Sequence, residues 1–155
     1  MRLMENAHQW PARLSSGAFI LHSGIGKLQA DEDTAKGVHG MAVTTYPFLG
    51  RVPPETFVKA LGTAEVAIGA SLLMPTVPAV VAGGALTAFS AALIGLYLRT
   101  PGARKPGSLA PTSEGLALAK DSWLLGMGVS LFWDAIRSRR QRQARLALLD
   151  RFRKQ

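Results

Sequence analysis

The chain offers few side chains able to do chemistry. The sharpest of them is Glu65, the one charge in the middle of the apolar run Phe57–Met74. An ionisable group inside such a run is expensive to bury and is by default a functional hypothesis. In a low dielectric it keeps its proton unless a cation or several donors face it. Glu65 therefore reads as a proton carrier, as a holder of a lipid's polar head, or as a neutral or paired residue that locks helices together. His22 falls at a similar depth in an earlier apolar run, Lys27 lies at that run's end, and Lys120 and Asp121 stand near the start of the last one. Neighbours in sequence point apart on a helix, so Lys120 and Asp121 do not pair with each other. One of them can face Glu65 or Lys27 from a neighbouring helix. Glu65, His22, Lys27, Lys120 and Asp121 form the candidate polar pocket. Their plainer readings are a hydrogen-bonded packing residue for His22 and snorkelling to the interface for the lysines. Asp134, one turn before Arg137, reads as a surface ion pair.

Much chemistry is excluded. There is no cysteine, so no disulfide, thiolate metal site or thiol relay forms within the chain. His8, His22 and His39 show no metal-ligand spacing. No catalytic triad, paired carboxylates or phosphate-binding loop is present. No catalytic residue is assigned, and no activity of the chain on its own is expected.

Four apolar runs must position these residues. Phe57–Met74 and Val77–Leu98 are separated by a proline-bounded hairpin, Pro75-Thr76-Val77-Pro78, and the second carries no charge before Arg99. About 20 residues at 1.5 Å each cross a hydrocarbon core. Leu14–Gly26 is shorter, but Trp10, Arg13 and Lys27 flank it and can extend it by snorkelling. Leu116–Ile136 carries Trp123 and Trp133 toward its ends, as interfacial aromatics do. Between the first two runs, Asp31-Glu32-Asp33 opens a weakly periodic segment, Ala35, Val38, Ala42 and Val43, which ends at Tyr46-Pro47. It predicts a short helix along the membrane surface. Pro53-Pro54 starts the next helix, and a Pro- and Gly-rich loop covers Thr100–Ser113. The expected fold is all-α: a four-helix transmembrane bundle over residues 1–136, with a short interfacial helix between helices 1 and 2 and a basic amphipathic helix in the tail, 137–155.

Small residues should line the packed faces, because lipid supplies no hydrophobic drive between helices. The stripes are Ser15, Ala18, His22, Ile25 and Gly26; Gly62, Glu65, Gly69 and Leu72; Gly84, Ala88, Ala91, Ala92 and Gly95; and Gly126, Gly128 and Ser130. They serve the bundle or a homo-oligomer. The net charge of +8 is concentrated in residues 137–155, which hold eight basic residues against Asp150 and leave the remainder near +1. The tail follows an apolar run and lacks interleaved aromatics, so its expected partner is the anionic head groups of the bilayer rather than nucleic acid. Arg137, Arg139, Arg140, Arg142 and Arg145 would make that contact. The same charges place both termini on the cytoplasmic side of a multi-pass plasma-membrane protein. Met1–Pro11 lacks the pattern of a signal peptide.

Several of these residues also form a familiar pattern. Arg13-Leu14, Gly17, Gly24 and Gly26-Lys27-Leu28, then Glu65, Gly69 and Leu72-Leu73, then Lys120-Asp121 with Leu124-Leu125-Gly126, resemble the DoxX-like membrane proteins, the last motif in their actinobacterial form. The resemblance covers Arg13–Ile136 and implies a four-helix membrane bundle. The family takes its name from a subunit of a quinone-linked thiosulfate oxidoreductase. It therefore implies an accessory or anchoring subunit of a membrane-associated complex, with membrane or peripheral protein partners and a link to redox chemistry. The alternative is a quinone- or lipid-binding redox or transport protein that uses a Glu65-centred site. No haem, flavin or iron–sulfur motif is present, and a quinone is implied by the family alone. The Asp31–Tyr46 segment and the basic tail fall outside the family's common pattern.

Overall fold

The computed structural model describes the backbone of residues 7–153 and the side chains of residues 7–141, 143 and 144. The side chains of Arg142 and Arg145 lie outside the described residues. Among the described residues every regular element is helical. After a 3-10 turn at Ala7–Gln9, helix α1 runs Trp10–Leu28 with Pro11 at its start, where a missing N–H costs nothing. Helix α2, Glu32–Thr45, is capped by Asp31, whose carboxylate accepts from the Thr34 amide at 2.9 Å, with Glu32 and Asp33 in the first turn. Pro47 ends it in a 3-10 turn, Pro47–Arg51. Helix α3 spans Pro54–Leu73 and helix α4 Ala79–Arg99, with the proline hairpin between them. A loop with Gly102 and Gly107 at positive φ leads to one helical turn, Leu116–Ala119, and then to helix α5, Asp121–Arg153.

Two of these helices, α3 with 20 residues and α4 with 21, are long and apolar enough to cross a membrane. Large apolar side chains point outward from the bundle: Trp123 is 72% exposed, Trp133 67% and Leu14 51%. Exposed apolar surface of this kind needs a covering partner.

The helices pack as two pairs. In the α1–α3 pair the backbones nearly touch. A Cβ at Gly24 would lie 2.7 Å from the Gly62 carbonyl oxygen, and one at Gly69 would lie 2.6 Å from the Leu21 amide. In the α4–α5 pair a Cβ at Gly83 would lie 2.8 Å from the Phe132 amide, and one at Gly128 2.8 Å from the Thr87 amide. Only glycine permits these crossings. The pairs meet in one apolar core of Ile20, Leu72, Ala82, Leu86, Leu124 and Leu131.

Three expectations need correction here. On α1 the buried face is Arg13, Ser16, Gly17, Ile20 and Gly24, whereas Ser15, His22, Ile25 and Gly26 point outward or lie at the margin. On α4 it is Ala82, Gly83, Leu86, Ser90 and Tyr97, with Ala88, Ala91 and Ala92 exposed. Both helices carry small residues on more than one face, and the partner's glycines select the face. On α3 the Gly62–Glu65–Gly69–Leu72 face is the buried one. The second correction is at Arg13, which does not reach out to an interface. It is buried, and its guanidinium donates to the carbonyl oxygens of Leu72, Ser71, Met74 and Val77 at 2.8–3.1 Å. A cation there satisfies carbonyls that the end of α3 leaves unpaired. The third concerns the last helix. It breaks at Lys120 inside the expected span Leu116–Ile136, then continues through Ile136 without interruption. No glycine or proline lies between Val129 and Arg153 to stop it. At 33 residues it is about 50 Å long, more than a hydrocarbon core requires.

Candidate functional site

The two helix pairs diverge at the end opposite Arg13. The gap is a cavity of about 890 Å³ lined by all five helices and by the turn Pro47–Arg51. That volume lies within the roughly 300–1,000 Å³ typical of ligand pockets. Its walls are apolar, with Phe19 from α1, Met41 from α2, Phe57 and Leu61 from α3, and Phe89 and Leu93 from α4. Ile20 and Leu124 belong to both the cavity wall and the packed core, so the cavity begins where the core stops.

Helix α2 and the turn after it form the cover. Two polar contacts fix them. The Tyr46 hydroxyl donates to the Ala92 carbonyl oxygen on α4, and His39 Nε2 lies 3.0 Å from the Leu49 carbonyl oxygen. His39 also meets Phe57 of α3 edge-on, with ring centroids 5.3 Å apart. The cover is thereby tied to both pairs. The Asp31 cap stands outside the bundle, and the hydrogen bond from Thr34 holds its carboxyl below the usual carboxylate value.

The polar groups gather at one place. Glu65 is buried, 3% exposed, and its Oε2 lies 2.9 Å from Lys27 Nζ, which also donates to Ser23 Oγ at 2.8 Å. The glycines explain the approach: Gly24 and Gly62 bring α1 and α3 together one turn from Lys27 and Glu65. Asp121, at the start of α5, lines the same cavity from the other pair and feels the charges of both Lys27 and Glu65. Lys27, Glu65 and Asp121 are the only charged residues among the described lining residues. The site therefore sets two carboxyl groups against one ammonium group.

The structure thus brings Glu65, Lys27 and Asp121 to one cavity and leaves out the other two candidates. His22 is exposed on the far side of α1, away from the Ile20–Gly24 face. Lys120 is exposed at the break before α5, where its neighbour Asp121 turns inward, as adjacent helical positions require. Ser23 was not anticipated; its spacing of four from Lys27 was the available signal. Nor were Tyr46 and Phe57, whose roles depend on where α2 folds back. Asp134 does form a surface contact, but with His8 at 2.8 Å and with Gln9, which ties the chain's start to α5. Arg137, Arg139 and Arg140 are exposed on the extension of α5.

Among the described residues no group of His, Cys, Asp or Glu side chains is arranged to hold a metal ion. Comparison with protein-family models, with curated proteins and with solved structures finds no match.

Proposed function

We propose that this chain is a DoxX-like, multi-pass protein of the plasma membrane. Its four long helices, α1, α3, α4 and α5, span the bilayer, and the cavity between its two helix pairs holds an apolar molecule with a small polar head, a lipid or a quinone. The observation that carries this reading is the cavity itself: extended apolar walls with a single cluster of charged side chains, Lys27, Glu65 and Asp121. That asymmetry matches an amphiphile and poorly matches a water-soluble metabolite. The outward-facing Leu14, Trp123 and Trp133 support immersion of α1 and α5 beside the apolar α3 and α4.

A quinone, held as its quinol with hydroxyls that donate to the carboxyl groups, suits the same residues. Bound there it would supply two-electron redox chemistry. Lys27 is the residue able to donate to a ring oxygen. Glu65 and Asp121 are the groups able to hold or accept a proton, and α2 limits entry of water.

Purification of the full chain in gentle detergent, followed by organic extraction and mass spectrometry, tests the reading. An amphiphile should copurify at near-stoichiometric amount and be reduced in Leu61→Trp, which narrows the cavity. Equal amounts from both proteins would refute it. The span assignment has its own test, because a chain without cysteine reports a single introduced thiol cleanly. With both termini inside, Gly107→Cys is labelled from outside intact cells and Arg145→Cys is not.

A second reading, an accessory or anchoring subunit, is favoured by α5. Its extension past Ile136 is continuous with the span, so it projects from the membrane and offers exposed arginines to a peripheral acidic partner or to anionic head groups. The two readings are compatible, since an anchor can also carry the molecule its complex acts on.

A further inference from the structure

We infer that the cavity selects its occupant by the sign of its head: it accepts an apolar chain ending in a hydrogen-bond donor, a hydroxyl or an ammonium group, and rejects a carboxylate. This deepens the amphiphile-binding reading and rests on it.

The argument starts from the inventory of charge. Lys27, Glu65 and Asp121 are the only charged groups lining the cavity among the described residues. Lys27 is already committed, with Nζ held by Glu65 Oε2 at 2.9 Å and by Ser23 Oγ at 2.8 Å. Its three hydrogens leave at most one for a ligand. The acceptors are in surplus. No described donor reaches the second oxygen of Glu65, nor either oxygen of Asp121, although the described side chains form many other hydrogen bonds. An incoming carboxylate would add a third anion beside two carboxyl groups, and the donors left to meet it are one hydrogen of Lys27 and the neutral hydroxyls of Ser23 and Thr34, too few to balance it among Phe57, Phe89 and Leu93. Like charges at close range in a low dielectric repel strongly. A hydroxyl or ammonium head instead donates to the unclaimed oxygens, and an ammonium also balances the surplus charge. The placement of the surplus matters as well. Glu65 belongs to the α1–α3 pair and Asp121 to α5, so a donor held by both links the two pairs across the cavity.

The test uses the full chain in nanodiscs of neutral lipid and three radiolabelled probes with the same 12-carbon chain: dodecylamine, dodecanol and dodecanoate. Nanodiscs without protein provide the blank. The expected result is specific binding of the amine and the alcohol, each at least about tenfold tighter than the carboxylate. The double variant Glu65→Gln/Asp121→Asn leaves Lys27 as the only charge and should reverse the order, so that dodecanoate binds best. Asp121→Asn alone, which leaves the Lys27–Glu65 pair in place, should narrow the gap between amine and carboxylate if the double variant does not fold. Dodecanoate binding the native chain as tightly as dodecylamine overturns the inference and leaves the amphiphile-binding reading intact. Binding of none of the three above the blank overturns both.

Discussion

The two ends of the bundle are built on opposite rules. At the Arg13 end a buried cation is surrounded by backbone carbonyls, and the hairpin between α3 and α4 is drawn in around it. At the Lys27 end a cation faces two carboxyl groups, and the helix pairs stand apart around about 890 Å³ of space. The first arrangement commits Nε and one terminal nitrogen of the guanidinium to four fixed backbone carbonyls and encloses no cavity. The second leaves acceptors over and space to reach them. Charge burial on its own therefore does not mark a functional site; a surplus of unpaired polar groups beside a cavity does.

The glycine crossings are common to both ends, and breaking one should have the largest effect. Gly69→Leu puts a side chain where a Cβ alone would meet the Leu21 backbone at 2.6 Å, so the helices must separate. A loss above about 3 kcal/mol is expected, since a backbone cannot yield as a side chain can. Thermal unfolding in detergent should show it, and Gly26→Leu, on an open face of the same α1, should be nearly neutral.

Glu65→Gln sharpens the comparison at the Lys27 end. Breaking a buried pair costs about 3–5 kcal/mol, and the low end applies because Lys27 is partly exposed and keeps Ser23. Adding Lys27→Met should recover part of the loss, as coupling between partners requires. At the other end Arg13→Met removes a charged donor from four carbonyls, and about 2 kcal/mol is expected, because hydrogen bonds to a charged group are worth about 1.5–3 kcal/mol and the freed carbonyls lie at a helix end. Arg13→Met has no matching partner to remove, so no second substitution should rescue it.

The smallest effect belongs to the cover. The carboxyl of Asp31 titrates below its ordinary 3.8 because Thr34 donates to its ionised form. A folded-state value lower than the unfolded one stabilises the cap above the unfolded value, and the contribution is lost as pH falls through the folded value. Exchange of the Thr34 amide, corrected for its intrinsic pH dependence, should accelerate as pH drops below about 3.8. In Asp31→Asn that acceleration should vanish.

How much of this was legible beforehand differs by residue. The Glu65 face was readable because Gly62 and Gly69, the two glycines of α3, flank it at helical spacing, whereas the competing Ala60–Ala64–Ala67 stripe holds no glycine and is exposed. His22 was misplaced because α1 carries small residues on several faces, and only the positions of Gly62 and Gly69 on the partner decide between them. Lys27 and Asp121 were recognised as polar groups near the same end, but their convergence depends on the crossing angle of two helix pairs, which no local pattern encodes. Arg13 was read as interfacial because a lone arginine beside an apolar run usually is. Its carbonyl partners come from residues 58 to 64 positions away. The continuity of α5 was missed because the change from apolar to basic composition was taken as a structural boundary. Helix propensity does not change there, since Arg, Gln, Ala and Leu all favour the helix.

The contrast between a filled end and an open end can be measured directly, because the native chain contains no thiol to interfere. Leu93 lines the cavity and Leu86, two turns earlier on α4, is fully buried in the core. Single cysteines at each position are exposed to a small thiol reagent in detergent, and the rates are compared with that of the unfolded chain. Leu93→Cys should react readily and be protected by dodecanol, while Leu86→Cys should stay protected with or without it. Equal rates at the two positions, or no protection of Leu93→Cys by dodecanol, would contradict the account.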